Sequence, residues 1–189
     1  LARAADRIRA VDPDARIVLG SLAPTTERGN GNFREVLFLE MLYAAGAGDA
    51  FDVVSVQPYG FESGPQDRRV DASILNFSRA ILVREALVER GDAMKAVWAS
   101  DFGWNSKPED WPGPDSIWGS VDPDTQARYT VGALTRVRRE WPWMGLMCVN
   151  GLQPQEEPPL ASAVPDAEAH WGFALIGPDG NPRKVYTAL

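Results

Sequence analysis

Asp101 stands at the downstream end of a short apolar run, Ala96, Val97, Trp98 and Ala99, inside the stretch KAVWASDFGWNS from Lys95 to Ser106. A run of that length fits a strand buried in a parallel sheet, and in α/β barrels the chemistry sits where such strands end. The acid is therefore a candidate catalyst. An aspartate also ends strands by capping the next loop, so position alone leaves both roles open. Tyr59, Phe61, Trp104, Trp111 and Trp118 fall in the segments after expected strands. Flat rings cover the apolar face of a pyranose while carboxylates and amides bond its hydroxylated rim, so an acid among aromatics suits a sugar. For each ring taken singly, core packing is the competing role.

The positioning elements follow in order. Ala5, Ile8 and Val11 give Leu1 to Val11 a helical spacing that stops at Asp12-Pro13. Ile17, Val18 and Leu19 form a strand, and Gly20 through Pro24 are expected to leave it as a loop. Asn32 and Glu35 have the spacing of a capping box for a helix from Phe33 to Ala45, closed by Gly46 and apolar enough to require cover on most sides. Phe51 to Gln57 is the second strand, with a loop from Glu62 to Asp71. A helix over Ser78 to Arg90 ends at Gly91.

After the strand that carries Asp101 comes a long loop, Asn105 to Val121, with Trp111 and Trp118. Asp122 and Pro123 cap and open a helix to about Glu140. Met144 to Val149 is the fourth strand, followed by a loop from Gln153 to Ala169, a tight turn at Asp179-Gly180 and a short helix. Strands alternating with single helices predict a parallel sheet, either doubly wound or closed as a barrel. No phosphate-binding G-x-G-x-x-G or G-x-x-x-x-G-K loop and no G-x-S-x-G elbow follows any strand, which favours the barrel.

With 189 residues and 44% hydrophobic content the chain can bury one domain's core. A net charge of −7 without a Lys/Arg run argues against nucleic acid or an anionic membrane as partner, and no stretch approaches the roughly 18 apolar residues of a membrane span. Cys148 is the sole cysteine and reads as a small buried hydrophobe. His170 has no second ligand in motif spacing, and Asp12, Asp14, Asp122 and Asp124 flank prolines as turn and cap residues; no metal and no cofactor is expected. The first residues lack an initiator Met and read as a helix already under way, so a longer protein is expected, with extracellular or cell-envelope placement if an export signal precedes.

The ordered segments VDPDARIVLGSLAP, FDVVSVQPYGF, NFSRA, AVWASDFGWNS, REWPWMGLMCVNGL and WGFALIGPDGNPRKVY resemble the C-terminal half of the clan A retaining glycoside hydrolases, nearest the family 39 and cellulase-like branch. The resemblance covers nearly the whole chain. It implies an α/β fold of the (β/α)8 TIM-barrel type in which residues 1–189 supply strands five to eight. It implies Asp101 at the place of the nucleophile, where the family carries Glu. Gln57-Pro58-Tyr59 stands where the family reads His-Pro-Tyr, and Val149, Asn150 and Gly151 stand where a tryptophan floors the sugar subsite.

On this resemblance Gln57, Tyr59, Trp104 and Asn150 are substrate contacts, and the general acid/base lies upstream of Leu1. The expected function is hydrolysis of a β-linked oligosaccharide or polysaccharide; the alternative is a non-catalytic carbohydrate-binding relic. Asp is one methylene shorter than Glu, and a misplacement of about 1 Å costs on the order of a hundredfold in rate. Loss of the acid partner removes a further factor of about 10² to 10⁴, so little activity is expected of this chain by itself. Four strands leave two parallel edges, for which the missing half-barrel or a second copy is the expected partner.

Overall fold

The apolar runs pair in parallel, and they do so in chain order. The structure is a computed structural model that describes residues 1–29, 31–108, 111, 115–153 and 170–189, the side chains of residues 170 and 171 excepted. Helix α1 (Ala2–Val11) leads into strand β1 (Val18–Leu22) and a small hairpin of β2 (Arg28–Gly29) and β3 (Asn32–Phe33). Then come α2 (Glu35–Ala44), β4 (Val53–Val56), α3 (Ala80–Glu89) and β5 (Ala96–Phe102). Helix α4 (Pro123–Glu140), β6 (Met144–Val149) and the short α5 (Lys184–Ala188) complete the chain.

The main sheet has the order β1-β4-β5-β6, all parallel. A doubly wound sheet reverses its strand order at a switch point, and this one does not. Leu19, Leu22, Val54, Val56, Val97, Ala99 and Phe102 point to one face, where they share a core with Leu39, Val83, Leu87, Ala133 and Val137 of the helices. The opposite face is more open: Val18 is 36% and Leu146 42% exposed.

Two bulges interrupt the register at the C-terminal ends of strands. From Leu19 to Leu22 β1 advances three residues while β4 advances two, Val54 to Val56. From Ala99 to Phe102 β5 gains one residue on β6 in the same way. An extra residue breaks the alternation of faces and re-aims the side chains beside it. Ser21, and both Ser100 and Asp101, consequently lie off the core face, between core residues on either side.

Several expectations need correction. Strand β1 does not end at Gly20 but runs through its bulge to Leu22. The capping box at Asn32 and Glu35 does not form. Asn32 is in β3 and donates to Glu27, the N-cap is Arg34, and Glu35 is buried in an ion pair with Arg79. Helix α2 is only half covered: it packs on α3, but Phe38 and Met41 are 38% and 47% exposed. Cys148 is half-buried, because β6 is an edge strand. The expected loop from Gln153 to Ala169 falls, after residue 153, outside the described residues, as do residues 109, 110 and 112–114 of the loop after β5.

Candidate active site

The Asp101 carboxylate is half-buried and held through one oxygen. Its Oδ2 accepts a hydrogen bond from Ser100 Oγ at 3.0 Å and a longer one from Gln57 Nε2 at 3.4 Å. Ser100 Oγ lies 2.6 Å from Ser21 Oγ. A hydroxyl has one proton, so with Ser100 donating to the carboxylate, Ser21 is the donor of the second bond. Side chains from the ends of β4 and β5 thus converge on one oxygen, with Ser21 of β1 behind Ser100, and Oδ1 has no donor among the described residues.

Tyr59 lies two residues beyond Gln57, where its backbone extends the β4–β5 pairing through a parallel bridge to Gly103. Its ring is buried between Phe173, 5.1 Å away, and Trp118, 5.8 Å away. The hydroxyl oxygen accepts from Asn150 Nδ2 at 3.2 Å, the asparagine that follows β6. Burial, and after it the negative charge of Asp101, push the phenol up to about 12. It stays protonated at neutral pH. Since Asn150 donates to its oxygen, the Tyr59 proton is free to be donated into the site.

Gln57 with Asp101, and Tyr59 with Asn150, therefore form two hydrogen-bonded pairs at the C-terminal ends of neighbouring strands, close enough for the Asp101 charge to act on the Tyr59 phenol. Trp104 is not among them, which corrects its assignment as a substrate contact. Its indole is 1% exposed, meets Phe77 and Tyr129 at 5.7 and 5.4 Å, and donates from Nε1 to the Ser63 carbonyl at 2.7 Å. It fits that close because residue 60 is glycine: a Cβ there would sit 1.8 Å from the indole. Of the other expected aromatics, Trp118 reaches Tyr59 and Phe61 lines a neighbouring groove. The His170 side chain lies outside the described residues.

Ser21, Ser100 and Phe173 are additions that sequence reasoning missed. The available signal was the small polar residue after each apolar run, where a bulge sets two residues on one face. No group of three or more His, Cys, Asp or Glu side chains among the described residues could hold a metal ion, and Asp122 is the N-cap of α4, accepting from Thr125 N at 2.9 Å.

No family model and no curated protein sequence matches the chain. Solved structures do. A glucosidase from Croceicoccus marinus superposes with a TM-score of 0.61 at 18% identity, over 99% of this chain and 33% of its own. The GH53 catalytic domain of Ignisphaera aggregans gives 0.58 at 20%, over 97% and 49%, and a family 39 glycoside hydrolase from Bacteroides cellulosilyticus gives 0.52 at 21%, over 79% and 28%. Identities this low speak to fold alone. The chain has a glycoside hydrolase fold, its α/β architecture and parallel sheet being consistent with a partial barrel. It spans 28% to 49% of the length of these three proteins.

Proposed function

We propose that the chain forms one side of the cleft of a retaining glycoside hydrolase of the family 39 and cellulase-like kind, acting on a β-linked oligosaccharide or polysaccharide, with its four-stranded sheet as strands five to eight of the barrel. The observation that carries this is the Asp101 carboxylate, placed by a bulge at the end of a parallel strand and held through Oδ2 by Ser100 and Gln57. In a retaining reaction one carboxylate attacks the anomeric carbon, and a second carboxyl group about 5 to 5.5 Å away protonates the leaving oxygen. With Oδ2 occupied, Oδ1 is the attacking oxygen. The covalent glycosyl ester is then hydrolysed by water, which the second carboxyl group activates as base.

Tyr59, protonated and adjacent, is placed to donate a hydrogen bond to the sugar, and Gln57 and Asn150 offer amides to its hydroxyls. The second carboxyl group belongs to the other side of the cleft. The test is turnover of aryl β-glycosides by the full-length gene product and its Asp101→Asn variant. The variant is expected to lose a factor on the order of 10⁴ in kcat. Equal rates, or no turnover by either, would remove Asp101 as nucleophile.

A further inference from the structure

Tyr59 is held from a part of the chain that the site does not otherwise use. Its ring lies 5.1 Å from Phe173 and 5.8 Å from Trp118, and those two rings meet at 5.7 Å, nearly perpendicular at 84°. The buried Phe173 also lies against Gly103, where a Cβ would sit 3.4 Å from its ring, and Gly103 is the residue bridged to Tyr59 just beyond β5. We infer that Phe173, fixed in place by Gln126 and Arg183, is a positioning residue for Tyr59, setting the direction in which the phenol faces the candidate site. The inference rests on the function proposed above and adds to it side chains that act on the sugar only through Tyr59.

One ring holds another only where its own backbone is fixed. The Gly172 carbonyl accepts from Ser106 N at 3.0 Å, Gln126 Nε2 at 2.7 Å and Arg183 Nη1 at 2.8 Å. The Ala174 carbonyl accepts from the same Arg183 nitrogen at 3.0 Å. Phe173 is thus tied on both sides. The anchors are bound in turn to the loop that leaves β5: Gln126 Nε2 also donates to the Trp104 carbonyl at 2.7 Å, and Arg183 Nη2 to the Ser106 carbonyl at 2.8 Å. Phe173 therefore shares one frame with the strand that carries Asp101.

The chemistry of the anchors suits a fixed support. The amide of Gln126 has two protons, and both go to these carbonyls, while bonds donated by a guanidinium are stronger than neutral ones. Residue 172 is glycine where the backbone passes closest: a Cβ there would sit 1.8 Å from Asn105 Oδ1. Burial is the first cause of the raised Tyr59 phenol and the Asp101 charge the second, and Phe173 supplies part of that burial. Loosening Phe173 admits water to the phenol and frees it to turn away from Asn150.

The experiment is ultraviolet titration, with aryl β-glycoside kinetics, of full-length Phe173→Leu, Gln126→Met and the double variant. In Phe173→Leu the Tyr59 phenol, identified by its absence in Tyr59→Phe, should ionise with a constant about tenfold larger, below its present value of about 12. The ratio kcat/KM should fall on the order of tenfold, the effect of one misaligned hydrogen bond. Gln126→Met keeps the ring and should shift Tyr59 the same way by less, and the double variant should go no further than Phe173→Leu. Tyr43, whose phenol is bonded to Asp92, is the control and should not move. Tyr59 unmoved in both single variants, a double variant that exceeds Phe173→Leu, an equal shift of Tyr43, or a shift without loss of kcat/KM in an active protein would overturn the inference. Gln126→Met decides alone should Phe173→Leu fail to fold. The titration needs no turnover, so a protein that cleaves no glycoside yet shows the shift loses the proposed hydrolase and keeps the role of Phe173 toward Tyr59. Unaltered turnover with Tyr59 unmoved does the reverse.

Discussion

Asp101 Oδ2, at 3.0 Å, is a nearer acceptor for the Ser100 proton than the Val56 carbonyl at 3.5 Å, and with that proton given to Asp101, Ser21 acts on the carboxylate only through Ser100. Hydrogen bonds to charged groups are worth about 1.5–3 kcal/mol, and Ser100→Ala should lower kcat/KM of the full-length protein ten- to a hundredfold. Ser21→Ala should cost less, and the double variant no more than Ser100→Ala. Losses that add within about 0.3–0.5 kcal/mol would show the two hydroxyls to act separately. Tyr59 supplies a pH test. Its folded value lies above that of a free phenol, so its contribution to stability is complete below about pH 10 and is lost as pH rises from there towards about 12. Ultraviolet titration should show two late-ionising phenols, Tyr43, which burial and the hydrogen bond to Asp92 also push up, and Tyr59; the one lost in Tyr59→Phe should shift down in Asp101→Asn, where the second cause of its rise is gone. No shift in Asp101→Asn would separate the two groups. Asp101 was legible in the sequence as an acid ending an apolar run. Its hydroxyl supports were not, because a bulge has no periodicity by which to recognise it.

At the scale of elements, what the sequence showed and what it hid differ by the range of the interactions. The apolar runs, the Asp122-Pro123 start of α4 and the glycine stops after α2 and α3, with φ of +73° at Gly46 and +82° at Gly91, are local features and were legible. Glu35 was not. It has capping-box spacing, but its partner is Arg79, 44 residues away. Arg79 also donates to the carbonyls of Thr25, Ala72 and Ile74 at 2.7, 2.8 and 2.9 Å, tying together the loops after β1 and β4. The two side chains are 2% and 4% exposed, and removing one partner of a buried pair costs about 3–5 kcal/mol. Arg79→Ala should lower the denaturation midpoint accordingly, with the slope unchanged, while Arg79→Met with Glu35→Leu should recover much of the loss. A loss below about 1 kcal/mol for Arg79→Ala would mean that the loops are held by other contacts. Trp104 was obscured for a related reason: its position after a strand suits either cleft or core, and only its partners Phe77, Tyr129 and Ser63 decide for the core.

At the scale of the molecule, a sheet laid out in chain order has β1 and β6 as outer strands, and among the described residues neither outer edge is paired. The open face presents Val18 and Leu146 with Trp98 half-buried, whereas in a closed (β/α)8 barrel that face is filled by layers of side chains from all eight strands. Unpaired parallel edges and an apolar face attract a complementary sheet, either the remainder of a barrel or a second copy. Residues 1–189 prepared alone should therefore self-associate. Light scattering should give a mass above that of one chain that rises with concentration, and Val18→Lys with Leu146→Lys should return it to the monomer without loss of helical circular dichroism. A monodisperse, cooperatively folded monomer at high concentration would show that the four-stranded sheet is sufficient by itself, and would remove the physical reason for assigning it to one side of a barrel.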